Sequence, residues 1–400
     1  MRASQRCAVL AGAAALVLTA AATGGQAADP INVGFVTELT GPWAFSGSSC
    51  AAGMKLAEAE IDAAGGVLGR PLRFLVIDNQ TNPTQALAAA RSFDAQDKVL
   101  VISGPTSSDN ALAIYGYAEQ NQVPFLVPVA AFPQLTKPGT QWTFRLEPAA
   151  VGWGYSIAKF VEQKKPGAKI AIMYSDFALM RAIAAGLKYQ IPRSNLTAGP
   201  EIVFPQGSSD ATIQATQVRA ASPDYVVVIG AGAFDNTITN QLLDLGVKPD
   251  QIIHPFGFTT NILGWGARSV GSYFGTFFDH DLDGVTAEGK KFIKDFAEKN
   301  GRPPSYIENF CYTTPYVIKQ AIEKAGTVDR AKFRDALRAL QTKETTSGVP
   351  IAFDKNGARQ EYIYYMQITS MDVAKKEYSA KQVFYMEWSP EVIPVYDLVK

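Results

Sequence analysis

The chain has 400 residues with Lys+Arg and Asp+Glu equal at 37. No basic stripe runs along it, which argues against nucleic acid as a partner. Hydrophobic residues make up 47% and charged residues 18%, a globular balance without a disordered tract, and the length suits two cores better than one.

The first element is an export signal. Residues 1–27 carry two arginines, an apolar run from Ala8 to about Ala22 and small residues ending at Ala27, the order of a cleaved secretory peptide. The apolar run is shorter than the roughly twenty residues that a membrane span needs. Cys7 precedes it, where a lipid-anchor signal would place its cysteine after it. The expected product is soluble and exported, with Cys50 and Cys311 as its cysteines. An oxidising compartment permits a bridge between them, but two buried free thiols are the expectation.

Apolar runs then alternate with helical patterns. INVGFVTEL, LRFLVID, KVLVISG and VPFLVPV read as strands. Helix starts are marked by Ser48 and Ser49, by Pro83 and Thr84, and by Ser107, Ser108 and Asp109. After WTFRLEP the pattern restarts: a helix from about 152 to 163, AKIAIMY, a helix from about Phe177, EIVFP, a helix from Asp210, DYVVVIGAG, and a helix through Leu245. Such alternation predicts an α/β fold of βαβ units, with parallel sheets flanked by helices. The last third differs, with helices at about 286 to 300, 306 to 325 and 330 to 341, then strands EYIYYMQI and KQVFYMEW.

Catalytic machinery is scarce. His254 and His280 are the only histidines, and neither has a partner at metal-ligand spacing, so no metal site, cofactor or Ser-His-Asp triad is expected. GAGAFD begins like a dinucleotide fingerprint, but Asp235 stands where the third glycine belongs. A phosphate loop and a G-x-S-x-G elbow are both missing. SGPTSSDN joins a strand end to a helix start, a geometry that aims backbone N–H groups at an anion.

The stretches GFVTELTGP, GGVLGRPLRFLVIDNQTNP and VPFLVPVAA, with LT and WTFR following, resemble the periplasmic branched-chain amino-acid-binding proteins, the type I solute-binding receptors of ABC importers. The likeness covers the whole chain from about Pro30. It implies two Rossmann-like lobes hinged by three crossovers near Leu146, Phe278 and Gly348. The N-terminal lobe would hold 28–146 plus 279–348, and the C-terminal lobe 147–278 plus 349–400. A periplasmic location, a monomeric state and a membrane permease as partner are implied with it.

The resemblance also supplies ligand positions. Ser108 matches the serine that holds a ligand carboxylate, with Ser107 beside it. Val129, Ala130 and Ala131 match the stretch that clasps the head group, but Ala131 replaces a threonine. The glutamate that holds an ammonium falls at about Phe256, and the tyrosine expected near GAGAF is absent, leaving Ala231, Gly232 and Phe234. Burying an ammonium without an acceptor costs several kcal/mol, so an amino acid is disfavoured. Aromatic residues fill the remaining positions: Trp43 and Phe45 beside Ser46, then Trp153, Phe177 and Phe310. Each alone reads as core packing; together, at strand ends, they suggest a cleft that stacks on a flat apolar ligand. The expected function is capture of an aromatic or hydrophobic carboxylate by hinge closure. A branched-chain amino acid or short amide is the first alternative, and a secreted enzyme on the same scaffold the second.

Overall fold

The computed structural model describes residues 29–204, 210–343, 345–389 and 392–399, so the expected export signal at 1–27 lies outside the described residues. The first apolar runs form strands β1 (Ile31–Thr37), β2 (Leu72–Asp78), β3 (Val101–Ser103), β4 (Phe125–Val127) and β5 (Thr143–Arg145). Helices α1 (Ala44–Ala63), α2 (Pro83–Ala95) and α3 (Ser108–Asn121) connect them. All five strands are parallel in the order β2-β1-β3-β4-β5, and β3, β4 and β5 are buried throughout, as expected of strands covered on both faces.

The second round gives α4 (Ala150–Lys164), β6 (Lys169–Ser175), α5 (Ala178–Gln190), β7 (Thr197–Phe204), α6 (Thr212–Ala220), β8 (Tyr225–Ile229), α7 (Gly232–Asp244), β9 (Ile252–His254), α8 (Thr259–Trp265) and β10 (Tyr273–Thr276). Helices α9 (Ala287–Asn300), α10 (Tyr306–Ala325) and α11 (Arg330–Arg338) follow, then a short pair β11 (Gln341–Thr342) and β12 (Ile351–Ala352), and the long β13 (Glu361–Asp372) and β14 (Glu377–Trp388). The second sheet runs β7-β6-β8-β9-β10-β13-β14. Its first five strands are parallel, and the final hairpin adds to β10 antiparallel.

Helix α1 starts four residues before the serines expected to mark it. Its N-cap is Trp43, without a side-chain cap bond. Two local features allow the early start. The Trp43 amide donates to Thr81 Oγ1 at 3.2 Å, and Gly47 brings the first turn against the end of β1, where a Cβ would lie 2.0 Å from the Glu38 carbonyl oxygen. Elsewhere side chains do cap: Asn82 accepts from the Thr84 and Gln85 amides ahead of α2, and Ser305 with Glu308 forms a capping box on α10.

The chain passes between the sheets after β5, between β10 and α9, and again before β13. Helix α10 returns to pack on α1, where Gly53 permits contact with the Glu308 backbone. A disulfide joins Cys50 to Cys311 there, with Cα atoms 5.1 Å apart, in place of the two free thiols expected, because the packing of α10 on α1 brings the two backbones within bridging reach. The third passage comes later than the expected crossing at Gly348. Arg145 donates its amide to the Gly357 carbonyl, Arg359 donates its own to the Arg145 carbonyl, and Phe353 packs on Phe144 at 5.3 Å. The segment therefore stays on the edge of β5 through Arg359. The tail also returns to the first sheet, since Gln134 Nε2 donates to the carbonyls of Tyr396 and Val399.

Candidate ligand cleft

The turn after β1 is fixed by Asp78 at the end of β2. Its carboxylate accepts from the Leu39, Thr40 and Gln80 amides and from the Thr40 hydroxyl. Burial raises its pKa, but these hydrogen bonds outweigh that and hold it below the usual carboxylate value. Thr81 Oγ1 then donates to the Thr40 carbonyl while accepting from Trp43. The result is a rigid presentation of Trp43 and Phe45 toward the second sheet.

Those two rings form one side of a cavity of about 350 Å³, with Ser175, Phe177, Gly232 and Phe234 among the residues opposite. Trp43 meets Phe177 edge-on at 5.8 Å, and Phe45 stacks on Phe258 at 5.0 Å. Gly232, at φ 64°, would carry a Cβ 3.1 Å from the Phe45 ring. The Ala178 amide reaches Asp109 Oδ2 at 3.4 Å. The two halves are thus in contact at this edge, a closed arrangement.

From the mouth a row of rings leads inward. Phe258 stacks with Phe256 at 6.0 Å, Phe256 meets Trp153 at 5.8 Å, and Trp153 meets Phe277 at 5.1 Å. Phe277 touches Phe310, Tyr306 and Tyr362. Of the rings expected from sequence, Trp43, Phe45 and Phe177 lie at the mouth, Phe256 midway, and Trp153 and Phe310 at the inner end, fully buried. Phe234 lines the mouth but packs on Phe204 at 4.6 Å. Phe258 and Phe277 complete the row and carry no sequence signal beyond following short apolar strands.

The polar side is more selective than the sequence suggests. Ser46 and Ser108 are both buried, and each has a hydroxyl without a hydrogen-bond partner. The Ser107 amide is already taken: Glu38 Oε1 accepts from it at 3.3 Å and from Asn79 and Asn110, and Oε2 accepts from the Thr106 amide and hydroxyl. A protein carboxylate therefore occupies part of the α3 tip, where an anion was expected to sit. Val129, Ala130 and Ala131 are buried, and the Ala131 carbonyl accepts from the Ala150 amide at 2.9 Å, so that oxygen serves the first passage rather than a ligand.

At that passage lie two more buried acids. Glu361 pairs with Arg145 at 2.9 Å and also accepts from the Ala149 amide. Arg145 further donates to Thr136 Oγ1 and to the Glu147 carbonyl. Glu147 itself is 1% exposed, and neither of its carboxyl oxygens has a partner. Burial pushes its pKa well above the ordinary glutamate value, against the opposing pull of Arg145. Sequence reasoning did not single it out and foresaw no acid at the cleft.

Among the described residues, Asp279, His280 and Asp281 could bring ligand atoms within 4.8 Å of one another for a metal. Asp279 accepts from the Tyr378 hydroxyl and Asp281 from the Ala380 amide, which ties both to β14. His254 is buried, stacked on Trp265 at 3.7 Å with Asp235 at 3.4 Å.

Two α/β halves closing face to face over a cleft at their strand ends define a hinged binding protein. The periplasmic binding protein family model matches residues 30–375, and the chain belongs to that family. A leucine-, isoleucine-, valine-, threonine- and alanine-binding protein of Pseudomonas aeruginosa is 25% identical, with 91% of this chain and 96% of that one covered. Among solved structures, a solute-binding protein of an ABC transporter from Rhodopseudomonas palustris in complex with 3,4-dihydroxybenzoic acid is 20% identical at a TM-score of 0.80, covering 90% and 97%. A branched-chain amino acid transporter substrate-binding protein from Streptococcus pneumoniae in complex with isoleucine is 24% identical at a TM-score of 0.78, covering 88% and 99%. At such identities the structural likeness establishes the fold.

Proposed function

We propose that this protein is the periplasmic solute receptor of an ABC importer and that its ligand is an aromatic or other hydrophobic carboxylate. Residues 1–27 would direct export, and the mature chain would act as a monomer that binds without catalysing. Each sheet with its helices forms one jaw, and the passages near Leu146, Phe278 and Arg359 form the hinge. The observation that carries the reading is the unbroken row of rings from Trp43 and Phe45 to Phe277, alongside the unpartnered hydroxyl of Ser108. Flat rings stack there, and a carboxylate gains a charge-assisted hydrogen bond from Ser108. Closure seals the mouth, and a membrane permease would read the closed form.

Thermal-shift titration with benzoate-like acids, leucine and short amides tests the ligand class. Saturation at about a hundred times the dissociation constant adds roughly 2.7 kcal/mol of stability, so the preferred class gives the largest rise. Replacing Ser108 by alanine should weaken carboxylate binding by about 1–3 kcal/mol, read by calorimetric titration; an unchanged affinity removes Ser108 from the site. A second reading, an α-amino acid ligand, is supported by one observation: Glu147 offers an acid that could meet an ammonium. Tight leucine binding with indifference to ring-bearing acids would establish it in place of the first.

A further inference from the structure

Glu147 stands just after β5 at the first passage between the sheets. Tyr306 opens α10 beyond the second, and Tyr362 follows the third. The three passages meet around one ring: the Pro148 carbonyl, next to Glu147, accepts from Trp153 Nε1 at 3.1 Å, and Trp153 meets Phe277 at 5.1 Å. That point is the floor of the cleft, because Phe277 touches Tyr306 and Tyr362 and heads the row of rings that runs to the mouth. Neighbouring donors turn elsewhere: Arg145 to Glu361 and Thr136, Arg359 Nη2 to the Val349 carbonyl, and the Tyr362 hydroxyl to the Phe277 carbonyl at 3.5 Å, while Arg359 Nε has no partner of its own. Two buried carboxyl oxygens without partners cost several kcal/mol in a fold that gains nothing from them. Saturation of two further buried acids, Glu38 and Glu361, shows that this chain can satisfy a carboxylate where one serves the structure.

We propose that Glu147 is the polar end of the ligand site, where its carboxyl group accepts a hydrogen bond from a hydroxyl or amine donor carried by the ligand away from its carboxylate. The inference rests on the aromatic-carboxylate reading above and narrows it to acids that bear a donor on or beyond the ring. Specificity follows from the same physics, since a site built to meet a donor rejects the analogue that lacks one. The charged and titratable groups facing Glu147 are Arg145 from β5, Tyr306 from α10 and Tyr362 from β13, with Glu308 and Arg359 behind the phenols. Arg145 is paired with Glu361, and Arg359 reaches backbone carbonyls with its Nε unpartnered. Burial favours the neutral form of Glu147, so a hydroxyl is met without a change of charge, whereas an ammonium is better met by the carboxylate and draws off its proton.

Calorimetric titration of the mature protein with benzoate, 4-hydroxybenzoate, 3,4-dihydroxybenzoate and 4-(aminomethyl)benzoate tests the inference. At least one donor-bearing acid should bind about tenfold or more tighter than benzoate. The advantage should vanish in Glu147→Leu and, for a hydroxyl donor, largely survive in Glu147→Gln, whose amide oxygen still accepts. An ammonium donor should instead fail in Glu147→Gln and, in the wild type, release a proton seen as a buffer-dependent heat. Infrared difference spectra of the wild type give a reading that needs no folded leucine variant. A protonated carboxyl band, assigned by its loss in Glu147→Gln, should move with the donor-bearing acids and stay still with benzoate. Equal affinity for benzoate and every donor-bearing acid, an advantage that persists in Glu147→Leu, or a band that ignores the donor would each overturn the inference while leaving the aromatic-carboxylate reading intact. Failure of every ring-bearing acid to bind would overturn both.

Discussion

Glu38 and Glu147 are both fully buried acids at strand ends in the first half of the chain, and they have opposite surroundings. Glu38, just after β1, gathers bonds from Asn79, Asn110, Thr106 and the Ser107 amide, and so ties β1 and the β2 turn to the tip of α3. Glu147, two residues after β5, has no bond to its carboxyl group at all. On the proposal above, the contrast separates an acid that builds the wall of a cleft from one that meets what binds there. Buried polar groups are nearly always satisfied within the fold, so the unsatisfied one points to what binds.

The strongest way to break the comparison is to remove the satisfied member. Glu38→Ala leaves two asparagine amides and two backbone donors buried without their acceptor, at about 1–3 kcal/mol each. Allowing for relaxation, we expect a loss of at least about 3 kcal/mol, read by urea unfolding. A loss below about 1 kcal/mol would mean that Glu38 is not the organiser of the α3 tip.

Next in size is the disulfide that fastens α10, and with it Tyr306 and Phe310 at the cleft floor, to α1. Replacing Cys50 and Cys311 by alanine should lower stability by about 2–4 kcal/mol, and reduction of the wild type should lower its melting temperature in the same sense. If the floor depends on this clamp, ligand affinity will fall too. Stability lost without affinity would confine the bridge to a scaffold role.

At the mouth the effects are smaller because Phe45 is only partly buried. Phe45→Ala removes the stacked partner of Phe258 across the closed edge, an interaction of about 0.5–1.5 kcal/mol beyond area burial. Affinity should fall about two- to tenfold with little change in the unliganded melting temperature. A large change in that temperature instead would make Phe45 a core residue of its own half.

Much of the scaffold was legible in the chain. The helices at 287–300 and 306–325 begin and end within a residue of their expected bounds, because caps and period coincide there. The short strands β9 and β10 escaped notice, having only three or four residues each and no alternation to read. The third passage was placed about ten residues early, since backbone bonds from Arg145 hold 357–359 on the first sheet and nothing in the local sequence announces them. Legibility of the site followed the same division. Rings at strand ends could be picked out, and Trp43, Phe45, Phe177 and Phe234 line the cavity, while Ser46 and Ser108 are buried hydroxyls without partners. The acids could not, because a single glutamate has no spacing pattern. Glu38 did leave one signal, an acid just past a buried parallel strand and facing a helix N-terminus, where the dipole favours negative charge.

The gentlest perturbation sharpens the comparison most. The pKa of Glu147 is raised in the folded protein by burial, so between the unfolded value near the ordinary 4.5 and the higher folded value the native state holds a proton that the unfolded chain has lost. Stability then falls as pH rises through that window, and the folded state carries a penalty at neutral pH. Glu147→Gln keeps the shape and removes the titration. The variant should match the wild type near pH 4 and become progressively more stable than it as pH is raised toward 8, read as the difference in melting temperature across the series. Glu361, whose pKa is likewise raised by burial but which Arg145 holds in a salt bridge, provides the control. By the same linkage Glu361→Gln should also gain on the wild type as pH rises, but by less, because Arg145 and the Ala149 amide favour the ionised Glu361. An equal or larger gain at Glu361 would show that burial itself, rather than pairing within the fold, sets the penalty.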